Sequence, residues 1–162
     1  AGGSLRTQDQ LLATAEILRR KYRFTGYLHL KLMPGAEQAQ VEQALRLADR
    51  VSVNLEAPNA ARLERLAPRK QFFKELLEPL QAVDQIRRQQ SPRLGWKGRW
   101  SSLVTQFVVG PAGESDLELL QTTEQLHQRF GLARAYFSAF NPIPDTPFEN
   151  LPGEAPQRQD RV

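Results

Sequence analysis

The chain has 162 residues, a formal net charge of +4 and a sequence pI of about 9.8. This length fits one domain with a substantial hydrophobic core. The chain contains no cysteine, which excludes disulfides, thiolate metal ligands and a cysteine nucleophile within these residues. No stretch approaches the roughly 20 apolar residues of a membrane span, and no basic-then-apolar segment opens the sequence. We therefore expect a cytoplasmic protein with no membrane association.

The first two elements are a helix and a strand. Apolar residues at helical spacing predict a helix over 8–22, with Thr7 as its N-cap. From there apolar residues alternate with other residues at every second position, which predicts a strand over 24–33. Leucines form one face of this strand, and His29 and Lys31 lie on the other.

The later elements alternate in the same way. Asn59 is predicted to cap a short helix, Pro79 to kink a longer one, and Gly131 to end the last one. The predicted elements are, in order, helix 36–48, strand 51–56, helices 60–66 and 70–89, strand 103–109, helix 115–130 and strand 133–139. This order predicts an α/β fold with about four parallel strands and outer helices. It corresponds to half of an eight-stranded (β/α) barrel of the TIM type.

Function in such barrels lies where the strands end. Asn54 and Glu56 are two residues apart, so both could hydrogen-bond a ribose or an amino group, or cap the next helix. His29 and Lys31 would face the barrel interior, where Lys31 would either contact a ligand or form a structural ion pair with Glu56. The glycine-containing loop at 110–113 precedes a helix and could bring backbone N–H groups near a ligand.

Basic residues cluster at 87–88 and around 93–99. A solvated surface and a nucleic-acid surface both fit this pattern. Nothing near His127 suggests a metal site, and we expect none in these residues.

Five segments together resemble one known family. They are residues 27–35, 48–58, 66–70, 110–120 and 136–147. In this order they resemble radical S-adenosylmethionine (SAM) proteins, specifically bacterial ones associated with DNA modification or repair and linked to a uracil-DNA glycosylase. The resemblance covers about residues 5–148.

The resemblance implies a partial radical SAM barrel over 1–148. The polar composition from Glu149 onward predicts a frayed tail over 149–162. Such enzymes bind SAM on a [4Fe–4S] cluster and cleave it to a 5′-deoxyadenosyl radical that abstracts hydrogen from the substrate. The cluster ligands would lie in a CxxxCxxC loop after the first barrel strand, which we expect to precede residue 1. The resemblance therefore implies a fragment that is inactive alone, with a possible nucleic-acid or nucleotide substrate.

The resemblance also implies roles for individual residues. Asn54 and Glu56 fall where related barrels contact the SAM ribose and methionine amino group. Arg69 or Lys70 falls near a basic position that can hold the methionine carboxylate. At the third strand of this chain, Gln106 stands where the superfamily often has a glycine. The other implied SAM contacts are Gln106, Val108, Gly110, Asn141 and Pro142, and the implied substrate contacts are His29 and Lys31.

The alternative is a non-catalytic half-barrel that serves binding or assembly. A half-barrel would expose two sheet edges and an apolar inner face. We therefore expect copies of the chain to pair through these surfaces as a homo-oligomer.

Overall fold

The computed structural model describes residues 2–153. In this range the chain is an α/β fold of alternating helices and parallel strands. The elements are α1 (Gly2–Glu16), β1 (His29–Lys31), α2 (Gln38–Leu47), β2 (Arg50–Ser52), α3 (Ala60–Leu66), α4 (Glu78–Gln89), β3 (Ser102–Val109), α5 (Asp116–Phe130) and β4 (Leu132–Ala139). Two π-helical segments, Ile17–Lys21 and Phe72–Leu77, flank α1 and α4, and two 3-10 turns, Pro92–Leu94 and Trp96–Gly98, precede β3.

The sheet follows the order of the chain. Within residues 2–153 its four strands are ordered β1-β2-β3-β4, and every neighbouring pair is parallel. Arg50 pairs with both His29 and Ser102, and Gln106 pairs with Tyr136. The prediction of an α/β fold with parallel strands is confirmed.

The hydrophobic core lies between one face of the sheet and the helices. The main core residues are Leu30, Val51, Val53, Leu103, Phe107 and Leu132 from the sheet side, and Leu12, Val41, Leu80, Val83, Leu119 and Leu126 from the helices. Because side chains alternate along a strand, the polar residues between these apolar ones lie on the opposite face.

The opposite face, which we call the open face, is largely polar. It carries His29, Lys31, Arg50, Ser52, Asn54, Ser102, Gln106, Arg134, Tyr136 and Ser138. The expectation of an exposed apolar inner face is therefore wrong. The apolar face is the one that the helices cover, and Val104 on the open face is buried among its polar neighbours.

The first helix begins earlier than predicted, at Gly2 rather than at Gln8. Thr7 is not an N-cap, since its hydroxyl donates to the carbonyl of Gly3 within the helix at 2.9 Å. The Gln40 side chain of α2 donates to the Leu5 carbonyl and to Asp9. This tertiary contact supports a first turn that its glycines disfavour.

The first strand is shorter than predicted. Residues 24–28 are not paired as a strand because their backbone groups bond elsewhere. The Arg19 guanidinium donates hydrogen bonds to the carbonyls of Phe24 and Gly26, both at 2.8 Å. The Leu28 N–H donates to the Asp49 carboxylate at 3.0 Å.

The predicted helix signals at Asn59 and Gly131 are confirmed. The Asn59 side chain accepts the N–H of Arg62, and Gly131 ends α5 in the left-handed region at φ 62°. Pro79 lies in the first turn of α4, where the helix changes from π to α geometry.

The predicted polar tail, 149–162, falls only partly within the described residues. Its first residues are exposed and turn back on the chain, since the Leu151 N–H donates to the Phe148 carbonyl. Residues 154–162 lie outside the described range. None of the helices within 2–153 combines the length and apolar composition needed to cross a bilayer.

Candidate functional site

A shallow concavity of about 280 Å³ lies on the open face. It is lined by His29, Ser52, Asn54, Val104, Thr105, Gln106 and Tyr136. Three of these, His29, Asn54 and Gln106, are predicted site residues. The parallel register brings them together from β1, the segment after β2, and β3.

A row of amide and hydroxyl groups begins in this concavity and continues to β4. The Asn54 amide nitrogen donates to the Gln106 side-chain oxygen at 3.4 Å, and the Gln106 amide nitrogen donates to the Ser138 hydroxyl at 2.9 Å. The row lies on one face because each residue occupies an outward position of its strand or strand extension. Amides and hydroxyls both donate and accept hydrogen bonds, so the row can bind hydroxyl-rich or heterocyclic ligands.

Two arginines converge on the phenol of Tyr136. Arg50 donates to its oxygen at 2.8 Å and Arg134 at 3.4 Å. The hydrogen bond from Arg134, with the charge of Arg50 added, lowers the pKa of Tyr136 below its usual value. This group can therefore lose its proton more readily than an ordinary tyrosine.

His29 and Lys31 are exposed on the open face, and His29 lines the concavity. Partial burial, and then the nearby charge of Arg50, lower the pKa of His29, which favours the neutral imidazole. In the described part of the chain the strands contain no Asp or Glu. The open face therefore presents cations without matching carboxylates, which suits an anionic ligand.

Glu56 lies at the carboxyl-terminal edge of the sheet in a strained conformation. Its φ is 65°, a left-handed value that is uncommon for a residue with a side chain. Its N–H donates to the Gln106 carbonyl at 3.0 Å, and its carbonyl accepts the Val108 N–H at 2.8 Å. The Glu56 carboxylate pairs with the Lys70 ammonium at 3.4 Å. The expected alternative pair between Lys31 and Glu56 is wrong, because this turn directs Glu56 to Lys70.

The loop after β3 is held by a carboxylate. Gly110 has φ 114°, and its N–H donates to the Glu114 side chain, which is almost completely buried. The Gly113 N–H closes the turn on the Gly110 carbonyl at 3.1 Å. The loop is therefore fixed internally, and its backbone near Gly110 is already engaged.

Other predicted site residues are less closely placed. Arg69 is exposed, and Asn141 and Pro142 are exposed in the loop that follows β4. The Val108 side chain is half-buried, and its backbone rather than its side chain contacts Glu56. These residues surround the same edge of the sheet but do not join the hydrogen-bonded row.

Several residues of the site were not predicted from the sequence. Arg50, Arg134, Tyr136 and Ser138 complete the open face, and Glu114 holds the loop. The period-two alternation of β4 places the three β4 residues on one face, and this signal could have found them. Glu114 carries no comparable signal, because a single acidic residue before a helix most often caps it.

The described residues contain no group of three or more His, Asp or Glu side chains that could hold a metal ion. No protein-family model matches this chain, and no curated protein matches it at a significant level.

Proposed function

We propose that this chain is the later part of a radical SAM barrel and contributes the SAM-binding edge of that enzyme. The observation that carries the proposal is the row Asn54–Gln106–Ser138, which crosses neighbouring parallel strands beside the Glu56–Lys70 pair. Helices cover one face of a sheet whose strands follow chain order, as in successive βα units of a TIM-type barrel. In that comparison the open face corresponds to the barrel interior.

The residues at this edge fit the chemical groups of SAM. The amide row offers donors and acceptors for a ribose and an adenine. Glu56 and Lys70 match the ammonium and carboxylate of an amino acid, because each can exchange its partner for the opposite charge on the ligand. In this family SAM supplies hydrogen-abstraction chemistry, and we assign only its binding to these residues.

The residues do not fit a [4Fe–4S] cluster. The sequence has no cysteine to provide thiolate ligands. These residues therefore provide no thiolate ligand to a cluster, and the role that we propose for them is to hold SAM and substrate.

The substrate that we propose is anionic and linked to a nucleotide or nucleic acid. Lys31, Arg50 and Arg134 lie on the open face without carboxylates on the strands to neutralise them. Cations in such an arrangement suit phosphate groups. Tyr136 lies between the two arginines, where it can form a further hydrogen bond to the substrate.

The test is calorimetric titration of the protein with SAM and with S-adenosylhomocysteine. We expect binding that falls about tenfold or more in Asn54→Ala and in Gln106→Ala, since each loses a direct polar contact. The matched control is Gln85→Ala, which removes an exposed amide of α4 and should leave the affinity unchanged. Absence of binding, or equal affinities in all variants, would contradict the proposal.

A second measurement is the sequence of the coding region upstream of Ala1. A strand followed by CxxxCxxC in the same reading frame would support the radical SAM assignment. A start codon at or just before Ala1 would contradict it for this protein.

The second candidate function is assembly through the sheet edges. Within the described residues β1 and β4 each pair on one side only, and β4 presents an edge of eight residues. Unpaired strand edges readily accept another strand. Size-exclusion chromatography with light scattering should then show a dimer at high concentration, and a monomer at all concentrations would contradict this candidate.

A further inference from the structure

Two neighbouring segments at the amino-terminal edge of the sheet are strongly basic. Residues 17–28 and 91–101, which we call the basic segments, contain seven Lys and Arg and no Asp or Glu. One precedes β1 and the other precedes β3. Neither contributes a residue to the strand-end site described above.

The basic segments form one continuous surface around Arg19. Its guanidinium bonds the Phe24 carbonyl and lies 3.9 Å from the ring centroid of Trp96, so it contacts both segments. Lys97 donates to the Thr25 carbonyl at 3.1 Å and joins them a second time. Asp49 neutralises Arg19 in the interior and lies 3.9 Å from the exposed Arg99, and Arg20 pairs with Glu16. The other cations of the basic segments are exposed: Lys21, Arg23, Arg93 and Lys97.

Exposed aromatic side chains alternate with these cations. Tyr22 is 66% exposed, Tyr27 59% and Phe24 41%. Arg23 and Lys97, both in left-handed conformations, lie in the same two segments and are exposed. A group of large apolar side chains exposed to water does not contribute to the hydrophobic core. Such a group on a protein surface usually marks a binding site.

We propose that this surface binds single-stranded nucleic acid. Phosphates would pair with Arg23, Arg93 and Lys97, and unpaired bases would stack on Tyr22 and Phe24. Cations along the backbone path with aromatic platforms between them are the general means by which proteins bind single strands. A duplex would satisfy the cations but would leave the aromatic rings without bases to stack on. This inference is independent of the SAM proposal, since the two sites share no residue.

The experiment is fluorescence anisotropy with a labelled single-stranded oligonucleotide, measured over a range of salt concentrations. The test variant is Arg23→Asn/Arg93→Ala/Lys97→Asn, in which asparagine suits the left-handed positions. The matched control is Arg6→Ala/Lys74→Ala/Arg129→Ala, which removes three exposed cations elsewhere and gives the same net charge. Circular dichroism of both variants establishes that each is folded.

We expect the test variant to lose about tenfold or more in affinity, with a salt dependence weaker by about 2 in slope. The control should lose less than about threefold, because only its long-range charge has changed. Tyr22→Ala should weaken binding about fivefold or more without changing the salt slope, because stacking releases no counterions.

Three results would overturn the proposal. Equal losses in the test and control variants would indicate a general attraction to polyanions. Equal affinity for duplex and single strand, with no effect of Tyr22→Ala, would remove the stacking role. Binding to vesicles of anionic phospholipid, with no binding to the oligonucleotide at low salt, would assign the surface to a membrane instead.

Discussion

The guanidinium of Arg19 and the carboxylate of Asp49 meet at 2.9 Å in the interior, with 2% and 6% of their side chains exposed. Arg19 also donates to the carbonyls of Leu47, Phe24 and Gly26. A buried ion pair is tolerated only when further hydrogen bonds offset its desolvation, and this pair has them. It ties the end of the first helical segment to the starts of β1 and β2.

Arg19→Lys should destabilise the protein by about 3 kcal/mol, as expected for breaking a buried ion-pair network. Lysine has a single ammonium and cannot reproduce a planar group that bonds three carbonyls and a carboxylate. Arg20→Lys is the matched control, because the neighbouring Arg20 is 79% exposed and pairs with Glu16 on the helix surface. Urea unfolding measures both free energies, and similar values for the two variants would show that the Arg19 network contributes little.

Tyr136 should ionise below the usual pH of about 10 for a phenol. Its pKa is lowered first by the Arg134 hydrogen bond and further by Arg50. Alkaline titration of phenolate absorbance should show a phase below pH 10 that Tyr136→Phe removes and Arg134→Gln moves to higher pH. A titration curve unchanged by Arg134→Gln would contradict this assignment.

The acid stability of the protein should depend on Glu118. A bidentate bond from Arg62, and then the Ser115 N–H, lower the pKa of Glu118 to about 2. A carboxyl whose pKa is lowered by folding stabilises the native state above its unfolded pKa of about 4.5, and this contribution is lost as the pH falls toward 2. Because the pair is accessible to solvent, we expect only about 1 kcal/mol.

Glu118→Gln should therefore flatten the dependence of the unfolding free energy on pH between about 5 and 2. Glu124→Gln, an exposed position on the same helix, is the control and should retain the wild-type slope. Equal slopes in the two variants would show that the Arg62 pair does not form in solution.

Glu56 should be held in its left-handed conformation at a cost to stability. Glu56→Gly removes the side chain at φ 65°, whereas Glu56→Ala removes the carboxylate but keeps the unfavourable backbone. We expect the glycine variant to be about 1 kcal/mol more stable than the alanine variant. Thermal or urea unfolding measures the difference, and an alanine variant of equal stability would show that the backbone is unstrained.

The same variants also test the candidate site. If Glu56 contacts the amino group of SAM, both should lose affinity for it, despite their different stabilities. Wild-type affinity in the glycine variant would leave Glu56 with a purely structural role at the sheet edge.

The order of the elements and the parallel sheet could be predicted because each depends on local patterns. Residues close in sequence determine the alternation of β3, the cap at Asn59 and the left-handed glycine at Gly131. Asn54 and Gln106 could be placed on one side of the sheet for the same reason, since strand alternation fixes the direction of each side chain.

The errors arose where distant residues decide the structure. Arg19 donates hydrogen bonds to the carbonyls of Phe24 and Gly26, which would otherwise be available to extend β1. The sequence from Phe24 to Leu28 contains no pattern that predicts these bonds. The left-handed turn at Glu56 depends on its bridge to β3 and redirects the carboxylate from Lys31 to Lys70. Long-range hydrogen bonds of this kind override local propensity and leave no periodic signal.

The sheet has a further property because its neighbouring strands are also neighbours in sequence. Each βα unit lies against the unit before it and the unit after it. As in a repeat array, the stability of such a sheet is approximately a sum of contributions from the units and from the contacts between neighbouring units. Units can be joined at either lateral edge without breaking any existing strand pair. A deletion or fusion made at an edge should therefore perturb the molecule only over the nearest unit, whereas one made at β2 or β3 would divide the sheet.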